Sequence, residues 1–422
     1  MIFAEKKRLL LTISIITAVF LVTIFYNKNS AYVNIDEQPI KTQHKNSDEA
    51  DIRRNEKTTS EDEIIANTEM GDILDAKESL STEVEAYSET VGKQEAETGN
   101  DKDRTEGNGL SIEHAPVKAG SFVIINSTGY EKFTFDTDSA NVYVDSVNYY
   151  AENLSDDIKI YCMIVPTSSE FNIPSEYRYL SGSQKEGIEY SYSNMHEKVI
   201  KVDAYSNFEA NKNDYLYFKT DHHWTALGAY RAYEAFMNAK GEKSVTIESY
   251  KRIDAESKYL GSIYSMTANK RLENNPDNIW YYKPLLSVDY TCVNRDKTKW
   301  SAKQIIFPSY FNGERKYAVF MGGDAAYSHI SVNSQKYNKI LIVKDSFGNA
   351  FIPFLLPHYK DIYVVDPRYF TDDIFKLIYD NKIDEVLIIN YASVLQLPAF
   401  SRMIKNITTC VVTSCTSIKS NQ

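Results

Sequence analysis

From Lys339 to Ile389 the chain alternates strand-length apolar runs with helical stretches, and few folds accept that order. Lys339–Val343, Ile362–Val365 and Glu385–Ile389 are rich in Ile, Leu and Val, with almost no polar interruption. Phe347–Leu356 and Thr371–Asn381, which lie between them, read as helices. Strands that are apolar on both faces and joined by helices over short connections require a buried parallel sheet with right-handed crossovers. The fold class is therefore α/β with a mainly parallel sheet. Upstream, Phe122–Ile125, Asn141–Val144, Ile158–Val165, Val199–Val202, Asp214–Lys219 and Tyr317–Met321 read as further strands. Asp145–Leu154 and Thr225–Lys240 read as helices. No internal repeat is found.

The rest of the 422 residues divides by charge and hydropathy. Lys6-Lys7-Arg8 precedes a run from Leu9 to Phe25 that only Thr and Ser interrupt. Seventeen residues is the lower limit for spanning a hydrocarbon core, and the preceding positive charge keeps the N-terminus inside. With no clean small-x-small site after it, residues 1–30 are expected to be an uncleaved transmembrane signal anchor rather than a cleaved signal peptide. Residues 31–118 hold 22 acidic against 10 basic side chains and few aromatics. Such a segment buries too little apolar area to offset its ordering entropy and is expected to be a disordered linker with a reach of about 50 Å. The folded domain is then 119–422, expected on the outer face of the cell membrane.

The formal charge is −11, and the linker accounts for all of it, so nucleic acid is not an expected partner. Four cysteines are too few for a disulfide scaffold, and without a C-x-x-C pair no structural zinc site is expected. Cys410 and Cys415 are spaced for one local bridge, or are two buried thiols. The 32 tyrosines suit either a sugar-facing surface or strand packing.

In open α/β sheets reactive groups gather beyond the C-terminal strand ends. Ser346 follows Lys339–Val343 on the turn into the next helix, where free backbone N–H groups can hold an oxyanion. An N-cap serine is the plainer reading. Thr220-Asp221-His222-His223-Trp224-Thr225 lies between a strand-like run and a helix start. A carboxylate two residues before an imidazole can bind Nδ1–H and fix the tautomer, leaving Nε2 to take a hydroxyl proton. Three readings stand on these residues alone. One is a Ser-His-Asp triad; another is an Asp-His-His metal site. The third is a histidine paired with Asp221 purely to stabilise the helix start.

Thr220–Trp224 combined with Lys344-Asp345-Ser346 resembles the DHHW family of Gram-positive bacterial surface proteins. Gly322-Gly323-Asp324 and Val364-Val365-Asp366-Pro367-Arg368-Tyr369-Phe370 fit the same resemblance, which spans about residues 120–422. The family is similar to the SGNH-like acetyltransferase domains of alginate O-acetylation proteins, which carry Asp-x-His-Trp upstream of the serine. The resemblance implies an SGNH-hydrolase-like three-layer domain, with Ser346 as nucleophile, His223 as general base and Asp221 as the orienting acid. Oxyanion donors are sought at the Ser346 N–H, Gly323, Asn349 and Asn390, and substrate contacts at Arg368, His222 and Trp224. For Arg368, pairing with Asp366 is the plainer role. For Trp224 it is packing of the motif.

The expected activity is O-acetyl transfer to a cell-surface polysaccharide through a serine acyl-enzyme. A carbohydrate acetylesterase using the same triad, or a non-catalytic glycan-binding scaffold, is the alternative. No cofactor and no metal are expected. By the resemblance, a membrane O-acyltransferase partner supplies the acyl group.

Overall fold

A computed structural model describes residues 115–408. The proposed anchor, nearly all of the linker, and Cys410 and Cys415 lie outside the described residues. Among the described residues no helix is long and apolar enough to cross a membrane.

Strands β1 (Val117–Ala119), β2 (Phe122–Ile125) and β3 (Thr128–Glu131) form a small antiparallel sheet. Helix α1 (Thr137–Asn153) follows, capped by Asp136, whose side chain accepts the Ser139 N–H at 3.0 Å. Its buried Ala140, Tyr143, Val144, Val147, Tyr150 and Ala151 recur at three- and four-residue spacing. That period places Asn141–Val144 inside the helix and corrects the strand expected there. The chain continues through β4 (Lys159–Val165), α2 (Gln184–Asn194), β5 (Val199–Lys201), α3 (Ala204–Ala210) and α4 (Ala226–Ala239). A short ribbon, β6 (Arg252–Asp254) with β7 (Trp280–Tyr282), brackets α5 (Ser262–Thr267). Next come β8 (Val288–Val293), β9 (Lys299–Ala302), β10 (Tyr327–Val332) and β11 (Lys339–Lys344). The one-turn helix α6 (Gly348–Phe351) then leads to β12 (Asp361–Val365), α7 (Ile374–Asn381), β13 (Glu385–Tyr391) and α8 (Pro398–Asn406).

Eight strands make the central sheet, in the order β5-β4-β13-β11-β12-β10-β8-β9. The five from β5 to β12 are parallel, and β10, β8 and β9 add antiparallel pairings at one edge. Alternate residues of each parallel strand serve different cores. Tyr161, Met163, Ile340, Ile342, Leu387 and Ile389 share one core with α4. Ile160, Cys162, Leu341, Val343, Val386 and Ile388 share the other with α1 and α7. The sheet is thus covered on both faces, which gives three layers and explains why its strands are continuously apolar. The antiparallel edge escaped the sequence reading because β8 and β10 alternate buried and half-buried or exposed positions.

Two other expected strands are not strands. Asp214–Lys219 is irregular, with one isolated Tyr217–Trp224 bridge in place of a ladder. Tyr317–Met321 lies mostly in a 3₁₀ turn over Lys316–Val319 and ends at a left-handed Met321. Many tyrosines fill the core with their hydroxyls satisfied. Tyr150 donates to the Ile404 carbonyl at 2.9 Å and Tyr290 to the Met321 carbonyl at 3.0 Å.

Candidate active site

The parallel strands β4, β11, β12 and β13 end together, and the groups singled out in the sequence converge there. β11 stops at Lys344, and Asp345 turns the chain. One Asp345 carboxylate oxygen accepts the Phe347 N–H at 3.0 Å, and the other accepts the Tyr391 N–H at 3.0 Å and Asn390 Nδ2 at 3.1 Å. Asp345 therefore welds the serine turn to the end of β13. Ser346 is half-buried between buried neighbours on both sides.

The partner groups come from the irregular segment before α4. Thr225 caps that helix, accepting the Gly228 N–H at 3.3 Å and donating its hydroxyl to the Tyr215 carbonyl at 2.8 Å. Buried Asp277 accepts the backbone N–H groups of Lys219 and Thr220, each at 2.8 Å, and the hydroxyls of Thr220 and Tyr215. With the loop held at both ends, Asp221 and His223 point inward, 2 % and 1 % exposed.

His223 Nε2 lies 2.7 Å from Ser346 Oγ, and its Nδ1 lies 2.6 Å from Asp221 Oδ1. Asp221 Oδ1 also accepts the His223 N–H at 2.8 Å. Its Oδ2 accepts the Ser262 N–H at 2.8 Å and the Tyr259 hydroxyl. Burial works against ionisation of Asp221, yet the charge and hydrogen bond of the His223 imidazole outweigh it. The carboxyl is held well below the ordinary carboxylate range. The His223 ring is sandwiched between Tyr317 at 3.9 Å and His222 at 3.8 Å between ring centroids. Imidazole position and Nδ1 partner are thus fixed before any substrate arrives.

His222 occupies the more open side, its side chain 17 % exposed. Its Nδ1 shares a hydrogen with Ser262 Oγ at 2.5 Å, and its N–H donates to the same oxygen at 3.2 Å. Burial, reinforced by the His223 charge, pushes its pKa down to about 3. The ligand atoms of Asp221, His222 and His223 lie within 4.8 Å of one another, a spacing that could hold a metal ion. Yet Nδ1 of each histidine is already engaged, one by Ser262 and one by Asp221, and His223 Nε2 by Ser346. The donor set fits a hydrogen-bonded relay better than a coordination sphere.

The remaining sequence candidates fall elsewhere. The Ser346 N–H is given to no other group among the described residues. The Gly323 N–H closes a turn onto the Phe320 carbonyl at 3.1 Å and is spent. Asn349 Nδ2 donates to Asp324 Oδ1 at 2.8 Å. Asn390 is fully buried between Asp345 and the Tyr143 hydroxyl. Trp224 is fully buried too, donating to the Phe347 carbonyl at 3.1 Å, so it joins the histidine loop to the serine turn and is walled off from substrate. Arg368 makes two bonds to Asp366, at 2.8 and 2.6 Å, and one to Asp324 at 2.8 Å. Its plainer role is the one the structure displays.

Sequence reasoning missed Tyr259, Gly261, Ser262, Asp277 and Tyr317. A methyl group on Gly261 would meet Asp221 Cβ at 2.2 Å, so only glycine admits the carboxylate there. Lone Gly-Ser and Pro-Asp pairs in a loop carry little signal, and these residues gain meaning only from what lies across from them.

The fold and this site define an α/β protein with an aspartate–histidine–serine hydrogen-bonded array at the carboxyl ends of its parallel strands. Residues 22–365 match the family model described as DHHW protein, and the chain belongs to that family. The crystal structure of a DHHW family protein from Eubacterium siraeum is similar at 30% identity and TM-score 0.63, covering 69% of this chain and 97% of that one. Bacillus cereus PatB1, solved with a sulfonyl adduct, shares the fold at 22% identity and TM-score 0.56, over 65% of this chain and 94% of its own. The O-acetyltransferase domain of Pseudomonas putida AlgJ aligns over 69% of this chain and 98% of its own, at 13% identity and TM-score 0.38. A comparison with curated proteins finds no match.

Proposed function

We propose that the protein is an O-acyltransferase that carries an acetyl group on Ser346 and delivers it to a hydroxyl of a cell-surface polysaccharide. The observation that carries this reading is the continuous chain Asp221–His223–Ser346, with links of 2.6 and 2.7 Å. His223 Nε2 takes the Ser346 proton as Oγ attacks the acyl carbon. The Oγ–C bond forms, the donor's C–O bond breaks, and the proton passes to the departing oxygen. The Ser346 N–H is available to the oxyanion as charge develops. A sugar hydroxyl then repeats the steps in reverse, with Asp221 stabilising the imidazolium both times.

Further parts of the reading rest on the sequence. Leu9–Phe25 anchors the chain in the cell membrane, residues 31–118 tether the domain outside it, and a membrane O-acyltransferase partner supplies the acyl group. Hydrolysis is the second reading, favoured by the half-buried Ser346, which water can reach.

The test is the intact mass of the protein after exposure to an activated acetyl ester, with Ser346→Ala alongside. An acetyl adduct on Ser346, and a loss of roughly 10⁴-fold or more in ester turnover in the variant, is expected. An unmodified protein, or turnover that survives the substitution, would overturn the proposal. Adding acceptor glycan separates transfer from hydrolysis by whether the acetyl group appears on sugar or as acetate.

A further inference from the structure

Beneath the serine turn lies a buried ionic cluster that the proposed chemistry does not use. Asp324 stands at its centre, 4 % exposed at the side chain. It is delivered by an unusual stretch of backbone, since Met321, Gly322 and Gly323 are all left-handed, at φ of 60°, 79° and 98°. For Met321 that conformation is costly, and such costs persist where the surroundings demand the geometry. Asp324 Oδ1 accepts Lys344 Nζ at 2.9 Å and Asn349 Nδ2 at 2.8 Å, and Oδ2 accepts Arg368 Nη2 at 2.8 Å.

The two groups on Oδ1 flank the nucleophile. Lys344 comes two residues before Ser346, and Asn349 three after it. A single carboxylate oxygen thus pins both arms of the turn. The arms themselves fit closely, for a methyl group on Gly348 would meet Lys344 Cβ at 2.7 Å. Asn349 has a further signature. Among the described residues its Oδ1 is buried with no hydrogen-bond partner. Turning the amide over would set that oxygen against the Asp324 carboxylate, so the side chain keeps an unsatisfied carbonyl in order to hold Asp324. Orphaned buried acceptors are rare and call for an explanation. Lys344 and Arg368 overcome the effect of burial and hold the Asp324 carboxyl well below the ordinary carboxylate range.

We propose that Asp324 is a positioning residue for acyl transfer. It fixes the Lys344–Asn349 turn so that Ser346 Oγ meets His223 Nε2 while the Ser346 N–H faces the acyl oxygen. The inference rests on Ser346 being the nucleophile. Asp324 touches no reacting atom, and its effect reaches the chemistry through the serine turn.

The experiment measures covalent capture by phenylmethylsulfonyl fluoride, in which Oγ–S forms, S–F breaks, fluoride leaves and the Ser346 proton passes to His223. It is paired with kcat and KM for an activated acetyl ester and with Tm. Asp324→Ala is expected to lose roughly 10²-fold in both capture rate and kcat, with KM within about threefold, as ångström-scale misplacement of a reacting atom does. Because that change leaves Lys344 without its nearest counter-charge, the charge-neutral pair Asp324→Leu with Lys344→Met is the companion variant, with the same expected kinetic loss. Capture and kcat that stay within threefold of the unsubstituted protein in a folded variant would overturn the clamp, whatever happened to Tm. Failure of the unsubstituted protein to be captured at Ser346 would instead overturn the nucleophile assignment.

Discussion

Gly261→Ala tests the geometry of the site at its least forgiving point. The φ of Gly261 is −94°, open to any residue, so the substitution strains nothing in the backbone. The cost is space. The added Cβ would lie 2.2 Å from Asp221 Cβ, 2.7 Å from Cγ and 2.4 Å from Oδ2, where ordinary contact begins at 3.4 Å. Asp221 and the residue 261 backbone must therefore part by about 1.2 Å. A shift of that size carries the 2.6 Å bond to His223 Nδ1 and the 2.8 Å bond from the Ser262 N–H out of hydrogen-bonding range. Overpacking and the weakening of bonds to a buried carboxylate together cost roughly 2–5 kcal/mol of stability. Losing the acid that orients the imidazole lowers kcat by roughly 10²–10⁴-fold. Thermal unfolding and turnover of an activated acetyl ester, measured on the same preparation, read both quantities. A Gly261→Ala protein with unchanged Tm and kcat within twofold would refute the reasoning, because Asp221 would then be neither confined nor needed where it stands.

Other perturbations probe the rest of the site. His222 has its pKa pushed down from 6.5 to about 3, so the unfolded chain binds a proton that the native state refuses between those values. Its contribution to stability is complete above pH 6.5 and is lost toward pH 3, at up to about 1.4 kcal/mol per pH unit. Denaturant titrations of His222→Gln should show a shallower acid loss, and an identical slope would count against the assignment. Asn349→Leu removes the orphaned Oδ1 along with the bond to Asp324, so Tm should hold or rise while kcat falls roughly tenfold. A lowered Tm with full activity would reverse that account. Dialysis against a chelator should leave turnover unchanged, since Ser262, Asp221 and Ser346 already occupy three of the four histidine ring nitrogens; activity restored only by added metal would revive the metal reading.

The parallel half of the sheet could be read from the chain because β11, β12 and β13 lie deep in the fold and are apolar on both faces. Asp221, His223 and Ser346 could be singled out because each sits where an element begins or ends, with a residue type suited to proton transfer. Their neighbours could not. Asp277, Gly261 and Tyr317 act on the histidine loop from 40 to 94 residues away, and nothing local marks them. The antiparallel edge formed by β8, β9 and β10 was equally hidden, because an alternating strand exposed on one side looks like loop.

What the amino-acid sequence determined by itself was periodicity and chemical type: an α/β order of elements, a charged segment kept apart from an apolar one, and a short set of residues able to move protons. Only the tertiary structure decided which of those residues meet. Arg368, Trp224 and Asn390 have the same credentials by position as Ser346, yet the fold turns the first to Asp366 and Asp324 and buries the other two. Partnership depends on distance and burial, which are set by contacts between segments far apart in the chain. The choice between a catalytic group and a packed one is therefore made when the layers close.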